Sequence, residues 1–250
     1  MMLRSVHRIP PRGVSILIKP SSAAITDDVR AGVERINRAG GAYHKYHLAD
    51  GLVIEGDYDL VRCLRHYNLP RRLDGLSVLD VGTSSGFLAV ECARRGAQVT
   101  AIDLWEVSVE MQVACVAYGV AVRYVQKSVY DLAAEFGQFD LVLCGSMLLH
   151  VSSPVEALRG LRSVCRGRAI VSTTCVPESA TSERPVCDFV GVRANDGDYW
   201  HYWSIGAEAL KRMMLASGFS AIERVDHFVL ETEPGRVRHS SPHVIVSATV

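Results

Sequence analysis

The stretch Val78-Leu79-Asp80-Val81-Gly82-Thr83-Ser84-Ser85-Gly86-Phe87, followed by Val99-Thr100-Ala101-Ile102-Asp103, decides the fold of this 250-residue chain. An apolar run ends in an acid, turns through two glycines and opens a helix; a second apolar run then ends in another acid. That order is how a Rossmann-like sheet holds a nucleoside: glycines let backbone amides approach the ligand, and the acid closing the second strand accepts ribose hydroxyls. Asp103 stands about 20 residues beyond the turn, the spacing expected of such an acid. Within the turn the pattern is Asp80-x-Gly82-x-Ser84-x-Gly86, not the G-x-G-x-x-G of dinucleotide enzymes. An acid near the end of strand one suits a ligand bearing an ammonium group rather than a pyrophosphate.

Outward from this signature, apolar periodicity predicts strands at about 77–81, 97–102, 121–126, 139–144 and 168–174, then two more at about 221–230 and 243–249. Helices are expected at about 27–40, 58–67, 85–95, 105–118, 154–165 and 206–217. Thr26-Asp27-Asp28 can cap the first helix, and Ser152-Ser153-Pro154 opens the fifth. The predicted class is α/β: a Rossmann-like, doubly wound, mostly parallel seven-stranded sheet with helices on both faces and a helical N-terminal lid. By the switch-point rule, ligands bind at the carboxyl ends of strands one, two and four, where the signature residues fall.

Composition agrees with one folded domain: 48% of residues are hydrophobic, enough for a substantial core. Lys+Arg and Asp+Glu are both 27, so no basic excess draws the chain toward nucleic acid. The seven cysteines never form C-x-x-C and, with no secretory segment evident, read as reduced cysteines of a cytoplasmic protein. No apolar run approaches a membrane span. Residues 1–20 carry Arg4, Arg8 and Arg12 and are broken by Pro10-Pro11, which reads as an extended arm.

Several further residues carry a family resemblance: His44, Leu48-x-Asp50-Gly51, Gly56-Asp57-Tyr58-Asp59, Leu69-Pro70-x-x-Leu73-x-Gly75, Arg95-Gly96-Ala97, Leu148-x-His150 and Trp203, together with the turn and strand tips already quoted. From about Thr26 to the last strand the chain resembles a class I S-adenosylmethionine (SAM) methyltransferase. It is similar to the branch that contains the tRNA wobble-uridine methyl- and carboxymethyltransferases and many unassigned relatives. The resemblance implies an extended N-terminal arm at 1–25, a helical lid or substrate-side segment at 26–75, and a SAM-binding methyltransferase domain at 76–250 with an irregular insert at 176–203. It departs from the branch at Ala42, where a tryptophan usually stands. It departs again at Leu149, where the tyrosine associated with a carboxylated cofactor stands. Plain SAM is therefore the expected cofactor, and S-adenosylhomocysteine (SAH) the product.

What the resemblance implies for individual residues follows the same map. Asp80 would face the methionine ammonium, through a water or directly, while Gly82, Thr83, Ser84 and Gly86 give the backbone approach. Asp103 would accept the ribose hydroxyls, with Leu104 beside the adenine. Ser128-Val129 would meet the adenine edge, and Cys144-Gly145-Ser146 would run past the methionine portion. For the acceptor, Tyr43, His44, Tyr46, His47, Trp200 and Trp203 are candidates, and His150, His201 and Tyr202 are candidates for chemistry. His150 is the first choice as general base, since a neutral imidazole can take a proton from an acceptor hydroxyl or amine. The alternative is that it only hydrogen-bonds the loop before the next helix. His44 can equally position the lid, and the tryptophans can pack beneath the insert. His44, His47 and His201 match no standard metal spacing, so no metal is expected. The leading expectation is methyl transfer to a small molecule, secondary metabolites included, with a tRNA wobble-uridine methyltransferase and a non-catalytic SAM-binding protein as alternatives.

Overall fold

A computed structural model of the chain describes residues 15–18, 25–176, 183–194 and 199–250. It opens with β1 (Ser15–Ile18) and α1 (Asp27–Arg38). The short strands β2 (Ala42–His44), β3 (Tyr46–His47), β4 (Val53–Ile54) and β5 (Gly56–Tyr58) follow, then α2 (Leu64–Tyr67). The repeating core is β6 (Ser77–Val81), α3 (Phe87–Arg94), β7 (Gln98–Asp103), α4 (Val109–Tyr118), β8 (Val122–Gln126), β9 (Phe139–Gly145), α5 (Pro154–Val164) and β10 (Cys165–Thr174). After it come β11 (Cys187–Ala194), β12 (Tyr199–Ile205), α6 (Ala207–Ala216), β13 (Ala221–Glu231) and β14 (Ser240–Thr249).

The main sheet has the order β1-β8-β7-β6-β9-β10-β14-β13. Strands β8, β7, β6, β9 and β10 are parallel, whereas β14 joins β10, and β13 joins β14, antiparallel. The chain runs outward from β6 through β7 to β8 and then jumps back to β9 on the other side of β6. That reversal makes the carboxyl ends of β6 and β9 the topological switch point, where ligands bind in open α/β sheets. Alternate strand residues feed two cores: Val78, Ala101, Leu141 and Leu143 pack under α1, α3 and α4, and Leu79, Val81, Ile102 and Val142 pack under α5 and α6. Burial on both faces is why these strands read as continuous apolar runs.

The structure differs from the sequence expectation in three places. The sheet has eight strands rather than seven, because Ser15–Ile18 pairs antiparallel with β8. The rest of the expected arm, apart from Ile25, lies outside the described residues. The insert 176–203 is not irregular where it is described: β11 and β12 form an antiparallel hairpin, with one extra residue accommodated near Gly191 at φ 63°. The segment 26–75 is only partly helical, since β2–β5 and β3–β4 form two small strand pairs between α1 and α2. α1 itself follows its caps: Thr26 Oγ1 accepts the Val29 amide, acids occupy the first turn and Arg35 and Arg38 the last.

Candidate active site

The glycine turn leaves β6 at Val81 and enters α3 at Phe87, with Gly82 (φ 73°), Ser84 (φ 51°) and Gly86 (φ 87°) in left-handed conformations. The amides of Gly82 and Thr83 both donate to the carbonyl of Ile102, which clamps the turn to the neighbouring strand. Asp103, at the tip of β7, accepts the Ser84 amide on Oδ2 at 2.8 Å and the Leu104 amide on Oδ1 at 2.7 Å. The Lys127 amide donates to the Asp103 carbonyl and so fixes the loop after β8 to the same point. Burial raises the Asp103 carboxyl, and the three backbone amides of Ser84, Leu104 and Trp105 oppose that rise. The result is an oriented acceptor at a strand tip, the arrangement suited to a pair of hydroxyl donors.

Asp80 lies beneath the turn, only 2% exposed, with Oδ2 accepting from Thr83 Oγ1 at 2.6 Å. Burial pushes its carboxyl up to about 6, against the Thr83 hydrogen bond. Because its folded value exceeds the ordinary 3.8, the protonated form stabilises the fold below that ordinary value. The advantage is lost as pH rises through about 6 and is gone above it. Asp80→Asn is expected to remove a component of roughly 3 kcal/mol from the pH dependence of unfolding between about 4 and 6. Chemical denaturation of both proteins across that range checks it; parallel curves would mean that the carboxyl does not titrate as its burial demands.

The acceptor side is built from three directions. His150 closes a 3-10 turn after β9 and lies with Nδ1 2.9 Å from the Trp200 carbonyl of β12. A carbonyl only accepts, so Nδ1 carries the proton and Nε2 carries the lone pair. Burial lowers the His150 imidazole and keeps it neutral; the Asp103 charge opposes that shift. His201 Nε2 lies 3.1 Å from the Trp203 carbonyl and 3.4 Å from Thr174 Oγ1, so that nitrogen serves its own hairpin. Trp200 and Tyr202 stack on the other face of β12 at 5.7 Å. Trp203 packs against the core, its indole N–H donating to the Ser152 carbonyl.

Residues 42–47 divide between two places. The His44 amide donates to Ser85 Oγ at 3.0 Å, and its ring stands 6.1 Å from the Phe87 ring at the start of α3. Tyr43 contacts both His44 and Tyr58 at the same edge. Tyr46, expected beside the acceptor, is instead 1% exposed, and its hydroxyl donates to the Ser85 carbonyl at 2.7 Å. It braces the turn from behind. His47, also expected there, faces away: its ring pairs with Asp59, and its carbonyl accepts from Tyr118 at the far end of α4. A strand flips successive residues, so neighbours in sequence cannot all reach one pocket.

Several of the residues expected at the cofactor have side chains that are buried or engaged within the protein. Ser128 spends its hydroxyl on the Tyr130 amide, and Val129 is buried. Cys144 is wholly buried inside β9, and Leu104 is exposed. Ser146, at φ 52°, donates its amide to the Ser172 carbonyl, while Ser172 Oγ meets the Tyr67 hydroxyl at 2.9 Å. A Cβ on Gly145 would come within 3.0 Å of that hydroxyl and of Leu88, so a larger residue would have to push these side chains aside. The sequence reading missed Tyr67 and Ser172, which are 105 residues apart and meet only through the fold. It also missed the exposed Trp105 and Tyr130 beside Asp103 and Ser128, although each follows a singled-out residue closely. Among the described residues no group of three or more His, Cys, Asp or Glu side chains is placed to hold a metal.

Sheet order, a clamped glycine turn and acids at two adjacent strand tips define the class I methyltransferase fold. Comparison with known proteins gives the same class: residues 79–172 match the methyltransferase domain family. That match spans 94 of the 250 residues, from within β6 to within β10. Over 114 residues it is 42% identical to the ubiquinone biosynthesis O-methyltransferase of Xanthomonas euvesicatoria, covering 44% of this chain and 48% of that protein. The chain thus spans about half the length of the curated relatives it matches. Among solved structures, the N-terminal domain of EvdMO1 with SAH bound shares the fold at a TM-score of 0.67 and 18% identity, covering 92% of this chain and 99% of that one. Magnesium protoporphyrin IX methyltransferase from Synechocystis, also with SAH bound, matches at 0.51 and 20% identity, over 89% and 85% of the two chains. No helix among the described residues is long and apolar enough to cross a membrane.

Proposed function

We propose that the protein is a SAM-dependent methyltransferase that moves a methyl group to a small-molecule acceptor and releases SAH. The observation that carries this reading is Asp103, held by the Ser84 and Leu104 amides at the strand tip beside the glycine turn. The residues fit the cofactor: an oriented acceptor for the ribose, a buried acid for the ammonium, and a buried imidazole nitrogen of His44 with no partner among the described residues. When bound, SAM supplies an activated methyl group, so the protein has mainly to align the acceptor and exclude water. Asp80, buried under the turn, would reach the ammonium through a water. His150, with its lone pair on Nε2, would take the acceptor's proton. Tyr43, Trp200 and Tyr202 would flank the acceptor, with residues 26–75 forming that side of the site.

A small acceptor is supported by the zero net charge and by the names of the matched relatives; neither favours the tRNA alternative. The seven cysteines are free thiols, six of them buried, which supports a reducing compartment such as the cytoplasm. Incubation with SAM and a panel of hydroxylated small molecules, read by SAH release, tests the activity. His150→Ala should then lower turnover by about 100-fold or more while SAH affinity by calorimetry stays unchanged. SAH binding without release of SAH in any reaction would favour the non-catalytic reading, and equal turnover would reduce His150 to a structural residue.

A further inference from the structure

Ser146, the first residue beyond β9, holds a left-handed backbone at φ 52°. A residue with a side chain disfavours that conformation and keeps it only where its surroundings enforce it. The enforcement comes from the neighbouring strand: the Ser146 amide donates to the Ser172 carbonyl at 2.9 Å and to Ser172 Oγ at 3.2 Å. Ser172 has no solvent exposure, and its Oγ lies 2.9 Å from the Tyr67 hydroxyl of α2. Burial raises the Tyr67 phenol, so it stays a neutral hydroxyl beside that oxygen.

The loop pinned in this way carries the proposed base. Met147 follows Ser146, and its carbonyl accepts the His150 amide at 2.9 Å, closing the turn Leu148–His150. The Met147 side chain lies against Gly82, where an added Cβ would strike it, so the same loop touches the glycine turn. Tyr67 is itself anchored from the far end of the chain. The adjacent His66 Nδ1 lies 3.2 Å from Asp226 of β13, and the Tyr67 ring stands 6.3 Å from Phe228 of that strand. A continuous set of contacts thus runs from α2 through Ser172 and Ser146 to the turn that ends at His150.

We propose that Tyr67 is a positioning residue for methyl transfer: its hydroxyl, through Ser172, holds Ser146 and so sets the turn on which His150 meets the acceptor. The inference rests on the reading of His150 as the base and deepens it, by giving that base a support from the N-terminal segment. Tyr67 acts by keeping His150 Nε2 at one station, not by touching the acceptor. Removal of its hydroxyl therefore slows transfer without weakening the ligands, because a small displacement of a proton acceptor costs rate before it costs affinity.

Turnover by SAH release, SAH affinity by calorimetry and the His150 imidazole titration by NMR are measured on the unaltered protein, Tyr67→Phe, Ser172→Ala and the double variant. The His150 signal is assigned by its loss in His150→Ala. Tyr67→Phe should lower kcat about tenfold, with acceptor KM and SAH Kd staying within about twofold. Ser172→Ala should lower kcat at least as much, and the double variant no further, because both changes break one route. Burial lowers the His150 imidazole, with His201 of β12 adding to that shift and Asp103 of β7 opposing it. In each variant its midpoint should rise toward the ordinary imidazole value, since a loosened turn admits water. Unchanged kcat, losses that multiply in the double variant, an equal loss of SAH affinity or an unmoved His150 midpoint would overturn the assignment. The titration needs no acceptor: a protein that binds no SAH or shows no turnover fails the functional reading, and the His150 midpoint still decides the tie from Tyr67. Ser172→Ala decides it if Tyr67→Phe fails to fold.

Discussion

Asp103→Ala is expected to weaken SAH binding by roughly 1.5–3 kcal/mol, about 10- to 150-fold in Kd. The carboxylate is oriented before any ligand arrives, since each oxygen already accepts one backbone amide. Each oxygen keeps further lone-pair capacity for a hydroxyl. Alanine removes the acceptors and also releases the Ser84 amide, which helps to hold that residue at φ 51°. The fold should tolerate the change better than the site does, because burial already disfavours this charge. Calorimetry against SAH, alongside a melting curve, separates the two effects. An unchanged Kd would move the nucleoside away from the tip of β7 and remove the basis of the proposed function.

Gly86→Ala should be the most damaging single substitution in the turn, costing roughly 2–5 kcal/mol of stability. Two costs combine: about 1–2 kcal/mol for a left-handed non-glycine residue, and about 1–3 kcal/mol for overpacking a full core. The added Cβ would overlap the Met111 side chain, which is completely buried beneath the turn. Gly75 provides the control. Its φ of 75° is similar, yet a Cβ there meets nothing within 4 Å, so Gly75→Ala should show the backbone cost alone. Urea denaturation of the two variants gives the comparison; equal losses would mean that Met111 moves aside freely.

Much of this was legible because local chemistry and tertiary placement coincide in the central sheet. β6 spans Ser77–Val81 as its apolar run indicated, and α5 begins at Pro154, where proline suits a first helical turn. The tip acids were readable for the same reason, since their spacing is set by one βαβ unit. The β11–β12 hairpin was not readable. A half-buried strand normally alternates apolar with polar residues, but the exposed positions of β11 include Phe189, Val190 and Val192, so the period of two is hidden. Gly191, at positive φ where the register shifts, lies within the stretch read as an irregular insert. β1 was lost because four apolar-rich residues inside an arginine- and proline-punctuated arm gain their identity from pairing with β8, not from their own pattern. Tyr46 and His47 were misplaced together for a geometric reason: once residues 42–47 became strands, one side chain had to face the turn and the next the outside.

One further tie bears on how the molecule comes into being. The turn between β13 and β14 grips the first part of the chain: the Glu233 amide donates to the Asp57 carbonyl, Glu233 pairs with Lys45 and Arg62, and Arg236 reaches Asp57 and the Gly40 carbonyl. Those partners are separated by up to 196 residues, so their loop closes late. The apolar face of the early segment packs on α3 and α4, so only these polar ties wait for the β13–β14 turn. A chain stopped short of residue 233 would keep the Ser85 bonds to His44 and Tyr46 but lack the polar clasp on Lys45, Asp57 and Arg62.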